Sequence, residues 1–277
     1  MNNRNNRSKI DLHMHSNASD GIFSPRELMR IASNAGLAAA GLTDHDTIKG
    51  LPEALSAAKI YDLELVPGVE ISVMEDNREV HILGYYPSNS KLLHKALEEL
   101  QKERFVRMEK ILKNLKELGF KIKTEELLAE TGDSAPGRLH LARLLLKKKY
   151  IHTLDQAFTL YLNPDCAAYV PRQTMTAEQA MNLLNAVEAL PVIAHPGDYG
   201  RSMIEKLLPL GLRGIEVFHP HHGPAQKNMY HEIALEHKLL ITGGSDFHGD
   251  EHKYSQYPQH LAISGHYLQP IKNCIID

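Results

Sequence analysis

The sequence predicts an α/β barrel interrupted by a helical insert, and three observations carry that expectation. Short apolar runs alternate with helix-like segments near both ends of the chain, as a parallel β/α layout requires. Between about Lys91 and Leu162 this rhythm gives way to a helical one, rich in Lys, Glu and Leu. Nearly every expected strand ends in His, Asp or Glu, and the C-terminal strand edge is where β/α barrels build active sites.

Taken in order, Ile10–Met14 reads as a strand ending in His-Met-His. Ser24-Pro25 followed by Glu27 predicts an N-cap, a proline in the first turn and a helix to about Asn34, with Gly36 as the stop. Ala38–Thr43 is a second strand, ending at Asp44-His45-Asp46. Leu51–Tyr61 is helical, Leu63–Val66 opens a third strand leading into Gly68-Val69-Glu70, and Val80–Tyr85 is a strand carrying His81. In the insert, Leu97, Leu100, Ile111, Leu112, Leu115 and Leu118 fall at helical spacing. A break is expected at Gly132–Gly137. Lys102, Arg104 and Arg107 read as a solvated helix face. The β/α rhythm resumes after Tyr169. Helices are expected over Thr176–Ala189, Ile204–Leu208 and Gln226–His237, with strands at Pro191–Ala194, Gly214–Phe218, Leu239–Thr242 and Leu261–Ser264. The barrel is thus expected over residues 9–88 and 169–277, and a helical cap over 89–168.

Bulk properties narrow the function. The chain has 277 residues, 43% hydrophobic and 23% charged, which is ordinary globular composition. A net charge of −3 argues against a basic body built for long nucleic acid. The two cysteines, Cys166 and Cys274, lie far apart, which disfavours a disulfide scaffold or thiolate site and fits a reducing cytoplasm. The polar Met1–Lys9 stretch has no signal-type apolar core, and no apolar run reaches membrane-spanning length. Histidine is unusually plentiful, with 17 against 6 Phe and no Trp.

The positions of these histidines matter more than their number. His13 and His15, His45, Glu70, His195, Asp246 and His248 all fall at strand ends, and His81 lies within a strand. His13 and His15 are two apart on extended chain and face one side, as do Asp246 and His248. One strand-end histidine is most often structural. So many together are not explained by packing, because buried imidazoles and carboxylates are costly unless paired or coordinated. Imidazole and carboxylate donors without thiolate suit Mn, Zn or Fe, and so many histidines disfavour a plain Mg or Ca site.

These segments together resemble the polymerase and histidinol phosphatase (PHP) family of metal-dependent phosphoesterases. The matching stretches are Asp11-Leu12-His13-Met14-His15-Ser16 with Ser19-Asp20-Gly21; Leu42-Thr43-Asp44-His45-Asp46-Thr47; Gly68-Val69-Glu70; Val80-His81-Ile82-Leu83-Gly84; Ala194-His195-Pro196-Gly197; and Gly244-Ser245-Asp246-Phe247-His248. The resemblance runs from Lys9 to about Gly249. It implies a distorted (β/α)7 barrel and two to three divalent cations, Mn first, with Zn or Fe as alternatives. His13, His15, Glu70 and Asp246 would hold one cation, and Glu70 would bridge to a second with His81 and His195. Asp20, His45 and His248 would hold a third, although many family members carry a histidine where this chain has Asp20.

Within the family, Gly137-Arg138-Leu139-His140-Leu141-Ala142-Arg143, Ala168-Tyr169-Val170-Pro171 and Gly214-Ile215-Glu216-Val217-Phe218-His219-Pro220-His221-His222 resemble a narrower branch. It contains nucleoside 3′,5′-bisphosphate phosphatases, nucleotide phosphatases and 5′→3′ exoribonucleases acting on short RNA. That resemblance implies phosphate contacts from Arg138 and His140, and a place at the metal site for His222 rather than His219 or His221. The expected reaction is hydrolysis of a nucleotide phosphomonoester by a metal-bound hydroxide. Glu70 would bridge the cations, Arg138 would orient the phosphate, and His222 or a metal-bound water would protonate the leaving oxygen. The alternatives are a 5′→3′ exonuclease on short oligonucleotides, an amidohydrolase-type barrel and a non-catalytic nucleotide-sensing domain. An amidohydrolase would need a strand-end Lys or equivalent bridge, and no such Lys appears.

Overall fold

The computed structural model describes residues 9–276 apart from Asn77, Asp133, Gln173, Asp198 and 250–258. Asp133, within the expected break at Gly132–Gly137, and the N-terminal polar stretch before Lys9 therefore lie outside the described residues. The chain divides into two compact units, one of Leu97–Thr174 and the other of the described residues on either side.

The larger unit is the expected α/β barrel. Eight strands form one sheet: β1 (Lys9–Met14), β2 (Ala39–Leu42), β3 (Glu64–Glu75), β4 (Arg78–Tyr85), β5 (Leu190–Ile193), β6 (Gly214–Phe218), β7 (Leu240–Gly243) and β8 (Ile263–Ser264). Their order is β7-β6-β5-β4-β3-β2-β1-β8. The sheet curls until the segment after β7 meets β1. There Met14 bridges Phe247 in parallel, Asp246 N donates to His13 O at 2.9 Å, and His15 N donates to Phe247 O at 3.1 Å. The barrel is nearly closed, and its first and last catalytic-type motifs lie side by side.

One departure from strict β/α repetition has a direct consequence. β3 and β4 form an antiparallel hairpin with Gly68 opposite Tyr85 and Ser72 opposite His81, and β4 is also antiparallel to β5. Only Asp76 and Asn77 separate the two strands, too few for a crossover helix, so the chain must turn back. Asp76 takes the left-handed backbone of such a tight turn (φ 49°). Because β4 runs against its neighbours, His81 near its start lies at the rim formed by their C-terminal ends. The remaining core pairs, β1–β2, β2–β3, β5–β6 and β6–β7, are parallel.

Helices cover this sheet. α1 (Pro25–Asn34) begins at the expected cap: Ser24 Oγ accepts from Glu27 N, and Glu27 reaches back to Ser24 N. Its Leu28, Met29 and Ala32 pack with Ala54, Ala57 and Ala58 of α2 (Leu51–Ile60) and with Met14 and Leu42. Inside, Ile10, Leu12, Val66, Leu83, Tyr85, Val192 and Ala194 form a second cluster with Leu268 and Ile271. Those last two belong to the helix Leu268–Ile276, which the hydrophobic pattern did not announce.

The smaller unit is helical, as expected. α3 (Ser90–Glu117), α4 (Thr124–Thr131), α5 (Arg138–Lys147) and the short α6 (Leu154–Ala157) contribute to it, and α4 ends where the break was read. Ile111, Leu112, Leu115, Leu127, Leu141 and Leu145 form its core, whereas Leu118 is exposed. The reading of Arg104 and Arg107 as solvated is corrected: both are buried. Arg107 Nε donates to Val170 O at 2.9 Å and its guanidinium lies over the Tyr169 ring, so the planar head is used where a lysine could not serve. Lys102 does face solvent and pairs with Glu99. Among the described residues no helix is long and apolar enough to cross a membrane.

Candidate metal centre

The rim built by β1, β2, β3, β4 and β5 with the segment after β7 places every expected ligand in one cluster. Glu70 is its hub and is fully buried. Its Oε2 lies 3.2 Å from His13 Nε2, 3.2 Å from His15 Nε2 and 3.0 Å from His45 Nδ1. Its Oε1 lies 2.8 Å from His81 Nδ1 and 2.9 Å from His195 Nε2. Asp246 Oδ1 approaches His15 Nε2 at 3.0 Å and His13 Nε2 at 3.4 Å. Asp20 Oδ1 faces His248 Nε2 at 3.3 Å, while His45 and His15 lie 4.0 Å from its carboxylate.

Three sets of donor atoms lie close enough to share an ion: His13, His15, Glu70 and Asp246; His15, Asp20, His45 and His248; and His45, Glu70 and His81. His195 joins the third set through Glu70 and lies 3.3 Å from His81 Nδ1. The residues fit cations on a separate ground. Glu70 Oε2, Asp20 Oδ1, Asp246 Oδ1, His15 Nδ1 and His45 Nδ1 are buried without a sound hydrogen bond. Leaving such groups unpaired is expensive. His13 Nε2 and His15 Nε2 point at each other 3.0 Å apart, an arrangement suited to two lone pairs converging on one ion.

The electrostatics agree. Burial pushes the Glu70 and Asp246 carboxyls up, but the surrounding histidines hold both well below the usual carboxylate range. Burial lowers His15 and His81, yet their carboxylate partners outweigh it and raise them to about 10 and about 9. At His45 burial prevails and lowers it to about 3. The carboxylates are thus held in the charged form that a cation ligand requires.

A second layer was not anticipated. Glu216 is fully buried in β6. Its Oε1 lies 3.0 Å from His13 Nδ1, and its Oε2 accepts from His195 N at 2.7 Å. Asp11, buried in β1, accepts from His13 N and Ser245 N, each at 3.0 Å. Asp44 accepts from Ser16 N and Ser19 Oγ, pinning the loop that carries Asp20. Asp46, which accepts from Ser72 N, adopts left-handed backbone (φ 51°), as do His195 (φ 25°) and Asp246 (φ 53°). Such strain in non-glycine residues collects at functional sites. A charged residue centred in an apolar strand was the available signal for Glu216. If Glu216 fixes the His13 ring, Glu216→Gln lowers metal affinity by roughly 10–100-fold. Metal titration followed by calorimetry measures this, and an unchanged affinity would show that the pair is incidental.

The histidines after β6 divide differently from the expectation. His222 does not present its ring to the carboxylates. Its Nδ1 donates to Val217 O at 2.9 Å and its Nε2 accepts from Gly197 N at 3.1 Å, so both ring nitrogens serve the main chain. His219 instead faces the cluster. Its buried Nε2 lies 3.6 Å from Asp246 Oδ2 and its ring centroid 5.1 Å from that of His195. In the smaller unit, Arg138 opens α5, with Nη1 3.4 Å from Leu162 O. His140 is buried there, its Nδ1 accepting from Gly137 N at 3.1 Å.

Comparison with known proteins places this architecture. The PHP domain model matches residues 11–163, more than half of the chain. A 5′-3′ exoribonuclease of Haemophilus influenzae is 34% identical, with 87% of this chain and 90% of that protein covered. A 3′,5′-nucleoside bisphosphate phosphatase of Chromobacterium violaceum is 33% identical, with 87% of each covered. Among solved structures, a protein of Bifidobacterium adolescentis assigned as a metal-dependent phosphoesterase superposes with a TM-score of 0.87 at 27% identity. The match covers 97% of this chain and 96% of that one.

The chain belongs to the PHP family. It is a metal-dependent phosphoesterase, a hydrolase of phosphoric ester bonds, whose His, Asp and Glu cluster could hold metal ions.

Proposed function

We propose that the protein hydrolyses a phosphomonoester of a nucleotide, using two to three Mn ions held by the rim cluster. The observation that carries this reading is Glu70, a fully buried carboxylate touched by five histidines from four strands and loops. One cation would be held by His13, His15, Glu70 and Asp246, a second by Glu70 with His81 and His195, and a third by Asp20, His45 and His248. The set around Asp20 also has His15 within reach, which supports an Asp at position 20 as a working ligand. Bound cations supply Lewis acidity and a nucleophile at neutral pH.

The protein's own groups supply orientation and a proton. Glu216 and Asp11 hold His13 in place, so the donor atoms are preorganised. Arg138 offers a planar guanidinium for the phosphate, and His140 in its first turn steadies that end of α5. Proton donation to the leaving oxygen, expected of His222, is better matched by His219. Its Nδ1 accepts from His221 N at 3.3 Å, which leaves the proton on Nε2 beside Asp246. The nucleotide class is supported by the relatives, a bisphosphate phosphatase and exoribonucleases. Two free cysteines are in keeping with a reducing cytoplasm.

A phosphate-release assay with Mn and AMP, adenosine 3′,5′-bisphosphate or a 5′-phosphorylated dinucleotide tests the reading. The expected result is chelator-sensitive release from at least one. Preferred turnover of the dinucleotide would make the same site that of an exonuclease, and no release from any of the three would refute the proposal.

A further inference from the structure

His195 reaches Glu70 from a turn that is anchored from outside itself. The turn follows β5, runs from His195 to Gly200 and takes left-handed backbone at His195 (φ 25°), Gly197 (φ 51°) and Gly200 (φ 70°). At a histidine such backbone persists only where the surroundings over-determine it. Pro196 has no N–H to donate, and Gly197 has no side chain with which to anchor itself. Within the turn Tyr199 N donates to Pro196 O at 2.9 Å. Outside it, the helix Pro224–Glu236 takes hold of both glycines. Tyr230, fully buried on that helix, does so with one hydroxyl: it donates to Gly197 O at 2.7 Å and accepts from Gly200 N at 3.3 Å. Gln226, one helical turn earlier, adds a second donor to Gly197 O at 3.2 Å. His222, which accepts from Gly197 N, packs its ring against Tyr230 with centroids 5.4 Å apart. On the other side, Tyr199 Oη donates to Glu79 O in β4, two residues before His81. The turn therefore links the two histidines, His81 and His195, that share Glu70 Oε1.

We propose that Tyr230 is a positioning residue for His195: by holding the His195–Gly200 turn it sets the affinity of the Glu70, His81 and His195 set for its cation. The inference rests on the metal reading above and adds to it a residue that acts through the main chain. A ligand already held in its bound geometry gives up less conformational freedom on binding, and outer partners of metal ligands act in this way. Removing the Tyr230 hydroxyl withdraws the acceptor from Gly200 N and leaves Gly197 O to Gln226. The turn is then free to relax from its left-handed form, and His195 must be ordered again each time a cation is bound.

The test is Mn binding by titration calorimetry on metal-free wild type, Tyr230→Phe, Gln226→Glu, His195→Ala and the Tyr230→Phe/His195→Ala double variant. Hydrogen exchange over residues 195–200 is followed by mass spectrometry on the same proteins. Phenylalanine keeps the ring against His222 and removes only the hydroxyl. In Tyr230→Phe the class of Mn that His195→Ala lacks binds roughly tenfold more weakly, the lower end of what an outer partner of a ligand is worth. The other Mn keeps wild-type affinity, and exchange over the turn speeds by roughly fivefold, the worth of one hydrogen bond. In the double variant Tyr230→Phe has no further effect on the Mn that remains. Gln226→Glu keeps the oxygen that accepts from Gly223 N and loses the donor to Gly197 O. It weakens the same class of Mn by roughly threefold, so the outcome does not depend on how well Tyr230→Phe folds. Ile233→Val, which trims a fully buried side chain of the same helix, lowers the melting temperature and leaves Mn binding at the wild-type level. Wild-type Mn binding in both Tyr230→Phe and Gln226→Glu overturns the proposal, as does a weakening of every class that persists without His195. If the wild type binds no Mn, the metal reading fails by itself. Exchange over the turn then decides whether Tyr230 holds it, and unchanged rates in Tyr230→Phe overturn that too.

Discussion

Glu70→Gln eliminates phosphate release, by on the order of 10³-fold or more in kcat/KM, while leaving the barrel folded. The expectation follows from where Glu70 lies. Each of its oxygens faces at least two imidazoles, and no solvent reaches it. The amide keeps the volume and removes the charge. It also puts an NH2 group, a donor, where an acceptor faces histidine nitrogens that must offer lone pairs to cations. Cations contribute several kcal/mol of transition-state stabilisation, and each ~1.4 kcal/mol is tenfold in rate. Losing the shared ligand therefore removes more than one such contribution. Phosphate release, with metal content measured on the same sample, checks this. A variant retaining a tenth of the wild-type kcat/KM would show that Glu70 is not the hub. Equilibrium nucleotide binding measured on the same variant separates loss of chemistry from loss of substrate.

Much of this centre could be read from the sequence because ligands at strand ends obey a local rule. A strand that stops at His-x-His or at Asp-x-His must present both side chains to one side, whatever the rest of the fold does. His81 did not follow the rule, being placed within a strand. The reason is topological: β4 runs antiparallel, so the start of that strand meets the ends of its neighbours. Strand direction depends on how short the link from Glu75 to Arg78 is, and apolar alternation carries no sign of it. The choice between His219 and His222 meets a different limit. Three histidines within four residues differ only in which way an irregular loop turns each ring, and that is set by contacts such as Gly197 N to His222 Nε2. Arg104 and Arg107 were misread because a long apolar stem and charged head look the same whether the head meets water or, as Arg107 does, a carbonyl and an aromatic face. The second layer of Asp11, Asp44 and Glu216 was hidden by the same limit: its members act on other side chains, and sequence spacing does not encode those partners.

Removing the metals is expected to lower the melting temperature by roughly 5–15 °C relative to the Mn-saturated protein. Without cations the fold must hold Glu70, Asp246 and Asp20 buried beside imidazoles, with one oxygen of each carboxylate and Nδ1 of His15 and His45 lacking a sound hydrogen bond. Ligands that bind only the folded chain stabilise it by about 2.7–4.1 kcal/mol when present at 100 to 1,000 times their dissociation constant. In a chain of this size each kcal/mol moves the midpoint by about 2–4 °C. Differential scanning calorimetry with chelator and with added Mn measures the shift. Asp246→Asn is the informative variant. It keeps the shape of the side chain but withdraws the charge facing His13 and His15 at 3.4 and 3.0 Å. The Mn-induced shift should shrink by half or more in this variant. The shift on adding Mn is the readout rather than the metal-free melting temperature, because the histidines around that carboxylate stabilise its charge as well. Equal melting temperatures with chelator and with Mn in the wild type would contradict the assignment of the cluster as a metal centre, independently of which substrate the enzyme hydrolyses.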